Sequence, residues 1–380
     1  MHGEPLTSRA LNRALLARQG LLEPWKAPLL EVVETIGALQ AQYWPGPPVA
    51  LWSRVRDFAA ADLYKALEKR QLVTGTLLRG TLHLASSREH PSYAAVVEAS
   101  GANDWRRTSK EPYPQMEALR SELMAWTASV SRNNDEISAF IDDWVARHPG
   151  AVDEKERALQ QQYKWGPFRK TSDFVRVPED GRWERAPAAL LAAPRPAKKS
   201  APTPEEALAA VVRCHLRAFG PAAAEDVADW IGWKTPPVRA ALERLAPGLV
   251  RFEDEAGRAL YDLPEAPRPD PEVPAPVRFL PGFDNVLLAY PSRRRQRILP
   301  DAHREKVYVR ANLQVLPVFL VDGMIAGTWS VAEKRREATL TLKPFERLAR
   351  PARAPVVKEA ERLLRFSHPE ASAHHVVDAS

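Results

Sequence analysis

Proline sets the first limits on this chain. Six prolines fall within the thirteen residues Pro264–Pro276, and five more lie in Pro187–Pro204 around Lys198, Lys199 and Ser200. Proline fixes φ and lacks the backbone N–H, so neither stretch can be a helix interior or a central strand. Both read as extended connectors. They divide the 380 residues into blocks at about 1–186, 205–263 and 277–380.

The first block opens with a helix that Thr7 or Ser8 can cap, with Leu11, Leu15, Leu16 and Leu22 at near-helical spacing. A second helix follows Pro28, its apolar side running from Leu29 to Leu39, and Gln40-Ala41-Gln42-Tyr43-Trp44-Pro45-Gly46-Pro47-Pro48 must stop it. A third helix is predicted at Ala60–Arg70. Leu72–Leu84, rich in Thr and Leu and broken by Gly75 and Gly80, reads as a hairpin. Helices followed by a β-hairpin are the order of a winged helix-turn-helix. The order recurs more clearly at 204–263: helices at Pro204–Ala218, Pro221–Ile231 and Pro236–Leu245, the last capped by Thr235, then Leu249–Phe252 and Ala259–Leu263 around a polar tip. A weaker copy lies between them, with helices at Leu119–Val130 and Glu136–Arg147 and strands at Phe174–Val177 and Arg182–Arg185. The last block is β-rich. Val277–Tyr290, Lys306–Val309, Val315–Val321, Met324–Ser330 and Glu337–Leu342 read as strands, with a tight turn at Asp322-Gly323 and a closing helix at Val356–Phe366.

The fold class expected is therefore α+β: tandem winged helix-turn-helix units followed by a β-rich C-terminal domain. The boundaries are 1–95, 96–200, 201–264 and 277–380. Composition narrows the function. An apolar fraction of 45% supports real cores and excludes wholesale disorder. The single cysteine, Cys214, excludes a disulfide scaffold and a Cys-based zinc site. No apolar run approaches the ~20 residues of a membrane span, and Met1–Arg9 has no secretory signature. A soluble, cytoplasmic, monomeric protein is expected, with no metal, no cofactor and no membrane partner. A net charge of +6 and a pI near 9.4 lean mildly towards anionic partners such as nucleic acid.

Three local features could carry chemistry. Gln40 and Gln42, two apart, would diverge on a continuous helix. Where a helix unwinds, both amides can face one space, and the partial negative charge of the helix C-terminus would favour a developing cation there. The alternative is that both merely cap loose carbonyls. Trp44, beside the pair, is the one of the eleven tryptophans placed to stack on DNA or wedge into it. In Arg79-Gly80-Thr81-Leu82-His83, Arg79 and His83 would share one strand face and meet a phosphate or the active site; His83 as a satisfied, part-buried ring is the other reading. Residues 293–310 carry seven basic side chains, among them Arg293, Arg294, Arg295 and Arg297, against two acidic ones, which suits phosphate contact. Just before them, Asp284-Asn285 could fix a turn or line a pocket. There is no Gly-rich phosphate loop, HExxH or GxSxG, and His374-His375 read as a frayed tail.

Taken together, Leu39-Gln40-Ala41-Gln42, Leu78-Arg79-Gly80-Thr81-Leu82-His83-Leu84, Phe219-Gly220-Pro221 with Asp226–Trp233, Leu280-Pro281-Gly282-Phe283-Asp284-Asn285 and Gly327-Thr328-Trp329 resemble the AlkZ-type winged-helix DNA glycosylases over nearly the full chain. The resemblance implies tandem winged helices and a β-rich domain around double-stranded DNA. It also implies excision of N7-alkylated purines, in some members from interstrand crosslinks made by natural products, as self-resistance. By the same resemblance Gln40 and Gln42 are the catalytic pair, in the branch that lacks a carboxylate at the second position. Trp44, Arg79, Thr81, His83, Arg293, Arg294, Arg295 and Arg297 are then DNA-binding, and Asp284 and Asn285 support the site. The expected function is a monofunctional glycosylase. The competing readings are a non-catalytic winged-helix transcriptional regulator and a structural DNA-coating protein, since fold does not fix function.

Overall fold

The computed structural model describes residues 4–100, 115–184, 190–192 and 201–379, with 190–192 described by backbone alone. Most of the predicted connector Pro187–Pro204, and Arg185, lie outside these residues. The chain divides into two units, residues 1–62 with 212–380 and residues 63–211.

The first unit begins with α1 (Ser8–Arg18). Thr7 caps it, its hydroxyl accepting from the Ala10 N–H at 3.1 Å. Then follow α2 (Leu29–Ile36), β1 (Leu39–Gln40) and α3 (Gly46–Trp52). Two differences from the sequence reading arise here. Helix α2 stops at Gly37, not at the proline run, because Gly37 has φ +78°, and a Cβ there would meet Phe219 and Trp230 at 3.5 Å. The prolines do not only stop a helix; Pro47 and Pro48 sit in the first turn of α3, where the missing N–H removes nothing.

The second unit starts within α4 (Ala60–Glu68). It continues through β2 (Leu72–Thr76), β3 (Leu82–Ser86), α5 (His90–Ser100), α6 (Met116–Ser129), α7 (Asn134–Arg147), α8 (Glu154–Gln162), α9 (Gly166–Arg169), β4 (Val175–Val177) and β5 (Leu190–Ala192). β2 and β3 form the expected hairpin, with Gly75 opposite His83. On its other edge β2 pairs with β4, and β4 with β5, all antiparallel. Two expectations fail. Arg182–Arg185 is not the partner of β4; Trp183 and Glu184 lie in a turn. The partner comes from the supposed connector, because Pro187 and Pro194 leave six proline-free residues between them, enough for a short strand. Gly75 is required by packing: a Cβ would lie 2.9 Å from the Phe174 carbonyl oxygen. Trp144, Trp165 and Phe168 centre the helical core of this unit.

The chain returns to the first unit within α10 (Pro204–Phe219). α11 (Ala224–Ile231), α12 (Thr235–Leu245) and the antiparallel pair β6 (Val250–Glu253) and β7 (Ala259–Asp262) complete three helices and a wing. The N-cap of α12 is Lys234 and not Thr235. Pro264–Pro276 has neither helix nor strand, as expected, yet it is tied down. Arg18 donates to the Pro267 carbonyl and, bidentately, to the buried Asp262; Arg13 donates to the Val273 carbonyl.

The remainder comprises β8 (Arg278–Leu280), α13 (Asn285–Leu288), α14 (Arg304–Val307), β9 (Tyr308–Val309), β10 (Gln314–Val315), β11 (Val318–Val321), β12 (Met324–Lys334), β13 (Glu337–Pro344), α15 (Arg350–Ser367) and β14 (Ala373–Asp378). The sheet order is β14-β13-β12-β11-β8, with α15 packed on it through Val356, Ala360, Leu363 and Leu364. The long strand expected at Val277–Tyr290 is only three residues, because Pro281 and Gly282 end it. His374-His375 is not a frayed tail: it belongs to β14, parallel to β13 at the sheet edge.

Candidate active site

The amide pair lies in the first unit, on the short path from α2 to α3. Ala38, Leu39, Ala41 and Trp44 are buried; Gln40 is half-buried, Gln42 and Tyr43 are exposed. Leu39 and Ala41 anchor the path in the interior, and Gln40 and Gln42 are the more accessible side chains beside them. A turn then closes, the Gly46 N–H donating to the Tyr43 carbonyl at 2.9 Å, and α3 begins. The helix has already ended at Gly37 before the pair is reached: Gln40 closes the two-residue strand β1, and Gln42 lies in the bend that follows.

The path is held by residues 279–285. Asn285 donates its amide to the Ile36 carbonyl at 3.0 Å and to the Gly37 carbonyl at 3.2 Å. Asp284 forms a bidentate pair with Arg54, at 2.6 and 2.9 Å, both side chains fully buried. Arg54 also donates to the Ala50 carbonyl within α3 and, at 3.3 Å, to Gln19. Gln19 in turn donates to the Ile36 carbonyl at 3.1 Å. The last carbonyl of α2 therefore receives two amide donors, one directly from Asn285 and one through the Asp284–Arg54–Gln19 chain. The Ser53 hydroxyl adds a bond to the Phe279 carbonyl at the far end of α3. Gly46 packs above Gly282, where a Cβ would come within 3.6 Å of the Gly282 carbonyl oxygen. Asp284 also accepts from the Val286 N–H, capping α13, which is the turn-fixing role expected of it.

Gln19 and Asn285 thus already bond the Ile36 carbonyl that ends α2.

Other predicted residues separate into exposed and buried. Trp44 is only 6% exposed, which removes it as a wedge. Tyr43, which sequence reasoning passed over, is 53% exposed instead; its adjacency to Gln42 was the only available signal. In the second unit, Arg79 lies in a left-handed turn at φ +55° and not on a strand, so it does not share a strand face with His83. Thr81 closes that turn by donating its hydroxyl to the Leu78 carbonyl. His83 is 1% exposed, and its Nδ1 lies 2.9 Å from the Thr81 carbonyl. A carbonyl only accepts, so Nδ1 carries the proton. Burial, with Arg79 adding to it, holds this ring down to a pKa of about 3. His83 is thus neutral and enclosed at pH 7, which corrects the expectation of a phosphate contact.

The arginine run is similarly mixed. Arg293 is exposed. Arg294 pairs with Glu225 at 3.4 Å and Asp226 at 3.3 Å. Arg295 donates to the Tyr290 carbonyl and lies over the Tyr308 ring. Arg297 is 6% exposed, donates to the Tyr290 hydroxyl and the Pro221 carbonyl, and covers the Tyr290 ring. It is an interior cation, not a phosphate contact. Among the described residues no group of three or more His, Cys, Asp or Glu side chains could hold a metal, and no helix is long and apolar enough to cross a membrane.

The family described as "DNA glycosylase AlkZ-like" matches residues 33–366, which include the amide pair and the 279–285 segment. A curated protein of Streptomyces sahachiroi, "Interstrand DNA cross-link repair glycosylase", is 25% identical over 359 residues, spanning 91% of this chain and 93% of its own length. The solved structure of the Streptomyces sahachiroi DNA glycosylase AlkZ has the same fold, with a TM-score of 0.81 at 22% identity over 99% of this chain and 100% of that one.

Proposed function

The chain belongs to the AlkZ-like DNA glycosylase family, and from that premise we propose that Gln40 and Gln42 form the catalytic centre of a monofunctional enzyme acting on N7-alkylated purines in duplex DNA. The observation that carries this is the accessibility of both amides just after a fixed segment: Gln40 is half-buried and Gln42 exposed, while Asn285 and the Asp284–Arg54–Gln19 chain immobilise the residues leading into them.

The chemistry is set by what glutamine can and cannot do. N7-alkylation makes the purine cationic, so it leaves as a neutral base without an acid catalyst. Positive charge then collects on the sugar. Two carbonyl dipoles can orient a water and stabilise that charge. Neither amide is a strong base, so proton abstraction from the water contributes little. Gln42 is exposed, which suits a lesion that remains in an open groove; a bulky crosslinked adduct does not pass easily into a closed pocket. The relative's name makes interstrand crosslinks the first bulky substrate to try. Arg293, Arg294 and Arg295, and Arg79 with Thr81 on the hairpin turn, are proposed to contact the phosphate backbone, the enzyme acting as a monomer.

The test is release of 7-methylguanine from a duplex carrying one such base. Wild-type protein frees the base and leaves an intact abasic strand. Tight duplex binding with no release from that duplex or from an N7-crosslinked one would overturn the assignment of substrate.

A further inference from the structure

We propose that Tyr43 stacks on the alkylated purine and reads its positive charge; this rests on the alkylpurine reading of the Gln40–Gln42 site. Tyr43 is the exposed aromatic of the amide loop, 53% exposed, while Ala41 before it and Trp44 after it are 6% exposed. The loop is therefore anchored on both sides of a residue left 53% exposed. Its backbone is fixed as well: the Tyr43 carbonyl accepts from the Gly46 N–H at 2.9 Å, and Pro45, Pro47 and Pro48 restrict the backbone on its C-terminal side. A tyrosine on such a base has only two side-chain torsions left to order on binding, so stacking costs little entropy.

The ring also has the right electronics. The face of a phenol ring is negative, and a cation above it is attracted. An N7-alkylpurine is a flat cation; an unmodified purine is flat and neutral. Both stack, and only the first gains the charge contribution. In the bond-breaking transition state the charge has moved from the purine to the sugar. An interaction with the purine cation is therefore strongest before the reaction and assists binding, not the chemical step. This separates Tyr43 from the amides, whose dipoles act on the sugar.

The experiment uses full-length protein and a duplex with 7-methylguanine on a 2′-fluoro-2′-deoxyribose. The fluorine destabilises the sugar cation, so the base stays attached while affinity is measured against the unmodified duplex. Tyr43→Leu is expected to lose about tenfold of the preference for the lesion, and Tyr43→Phe to keep it, since the ring face survives. On the cleavable duplex at saturating enzyme, the Tyr43→Leu single-turnover rate should not fall and should rise by up to about tenfold, because an attraction held in the bound state and lost in the transition state slows the wild-type step. A Tyr43→Leu variant that keeps the full preference, that weakens equally on both duplexes, or that slows the chemical step at unchanged affinity overturns the proposal. Base release by wild type together with a full lesion preference in Tyr43→Leu removes this inference alone. Unimpaired release by Gln40→Ala removes the amide-pair reading and leaves the binding result standing.

Discussion

The loop Gln40–Tyr43 and the turn Arg79–His83 look equally chemical as sequences, each a short polar run beside apolar residues. The folded chain treats them oppositely. In the first, buried groups from elsewhere in the chain (Gln19, Arg54, Asp284 and Asn285) fix the backbone just before the loop, and Gln40 is left half-buried and Gln42 exposed. In the second, the turn satisfies itself: Thr81 bonds the Leu78 carbonyl, and His83 bonds the Thr81 carbonyl from a buried site. The entry to the first is fixed by residues distant in sequence, while the second is closed by bonds of its own.

Three substitutions sharpen this contrast, from the largest effect down. Arg54→Ala leaves Asp284 buried without a counter-ion, and removing one partner of a buried pair costs about 3–5 kcal/mol. Chemical denaturation should show that loss, and base release should fall with it. Asn285→Ala frees the Gly37 carbonyl while Gln19 still serves Ile36, so the loss of stability should be smaller, about 1–3 kcal/mol. Because the residues entering the amide loop lose an anchor, base release by folded Asn285→Ala should drop by roughly tenfold or more; unchanged release would show that the loop holds itself.

The third concerns pH in the hairpin. The His83 ring is neutral when folded, with a pKa of about 3, and takes up a proton near pH 6.5 when unfolded. Its contribution is fully present above about pH 6.5 and is lost as pH falls towards 3, because the unfolded chain binds the extra proton. His90, buried and held to about 4, acts in the same direction. Replacing His83 by Leu should flatten the stability profile below pH 6.5 by up to about 1.4 kcal/mol per pH unit. Urea midpoints at several pH values measure this, and an unchanged slope would contradict the burial of the ring.

Much of the fold was legible where a local rule had no competitor. Thr7 capped a helix, Asp322-Gly323 turned a hairpin, and the six prolines of 264–276 excluded regular structure. Legibility failed where distant residues decided the outcome. Nothing local marks Arg54 as buried; only Asp284, 230 residues away, makes that burial tolerable. Arg297 looked like its exposed neighbours until Tyr290 folded beneath it. His374-His375 read as a tail because a parallel edge strand depends on a partner the local pattern does not name. The amide pair itself was visible as a motif, but not its setting: Gly37 ends the helix early, so the pair follows a short strand and a bend instead of the helix end.

The most direct test of the account is single-turnover release of 7-methylguanine from one duplex by wild type, Gln40→Ala and Gln42→Ala, with affinity and stability measured alongside. Neither amide is buried, so each variant should fold within about 0.5 kcal/mol of wild type. Each should also bind the duplex normally and release base about 10²-fold more slowly. Release at the wild-type rate by either folded variant would place the chemistry elsewhere in the chain and contradict the account.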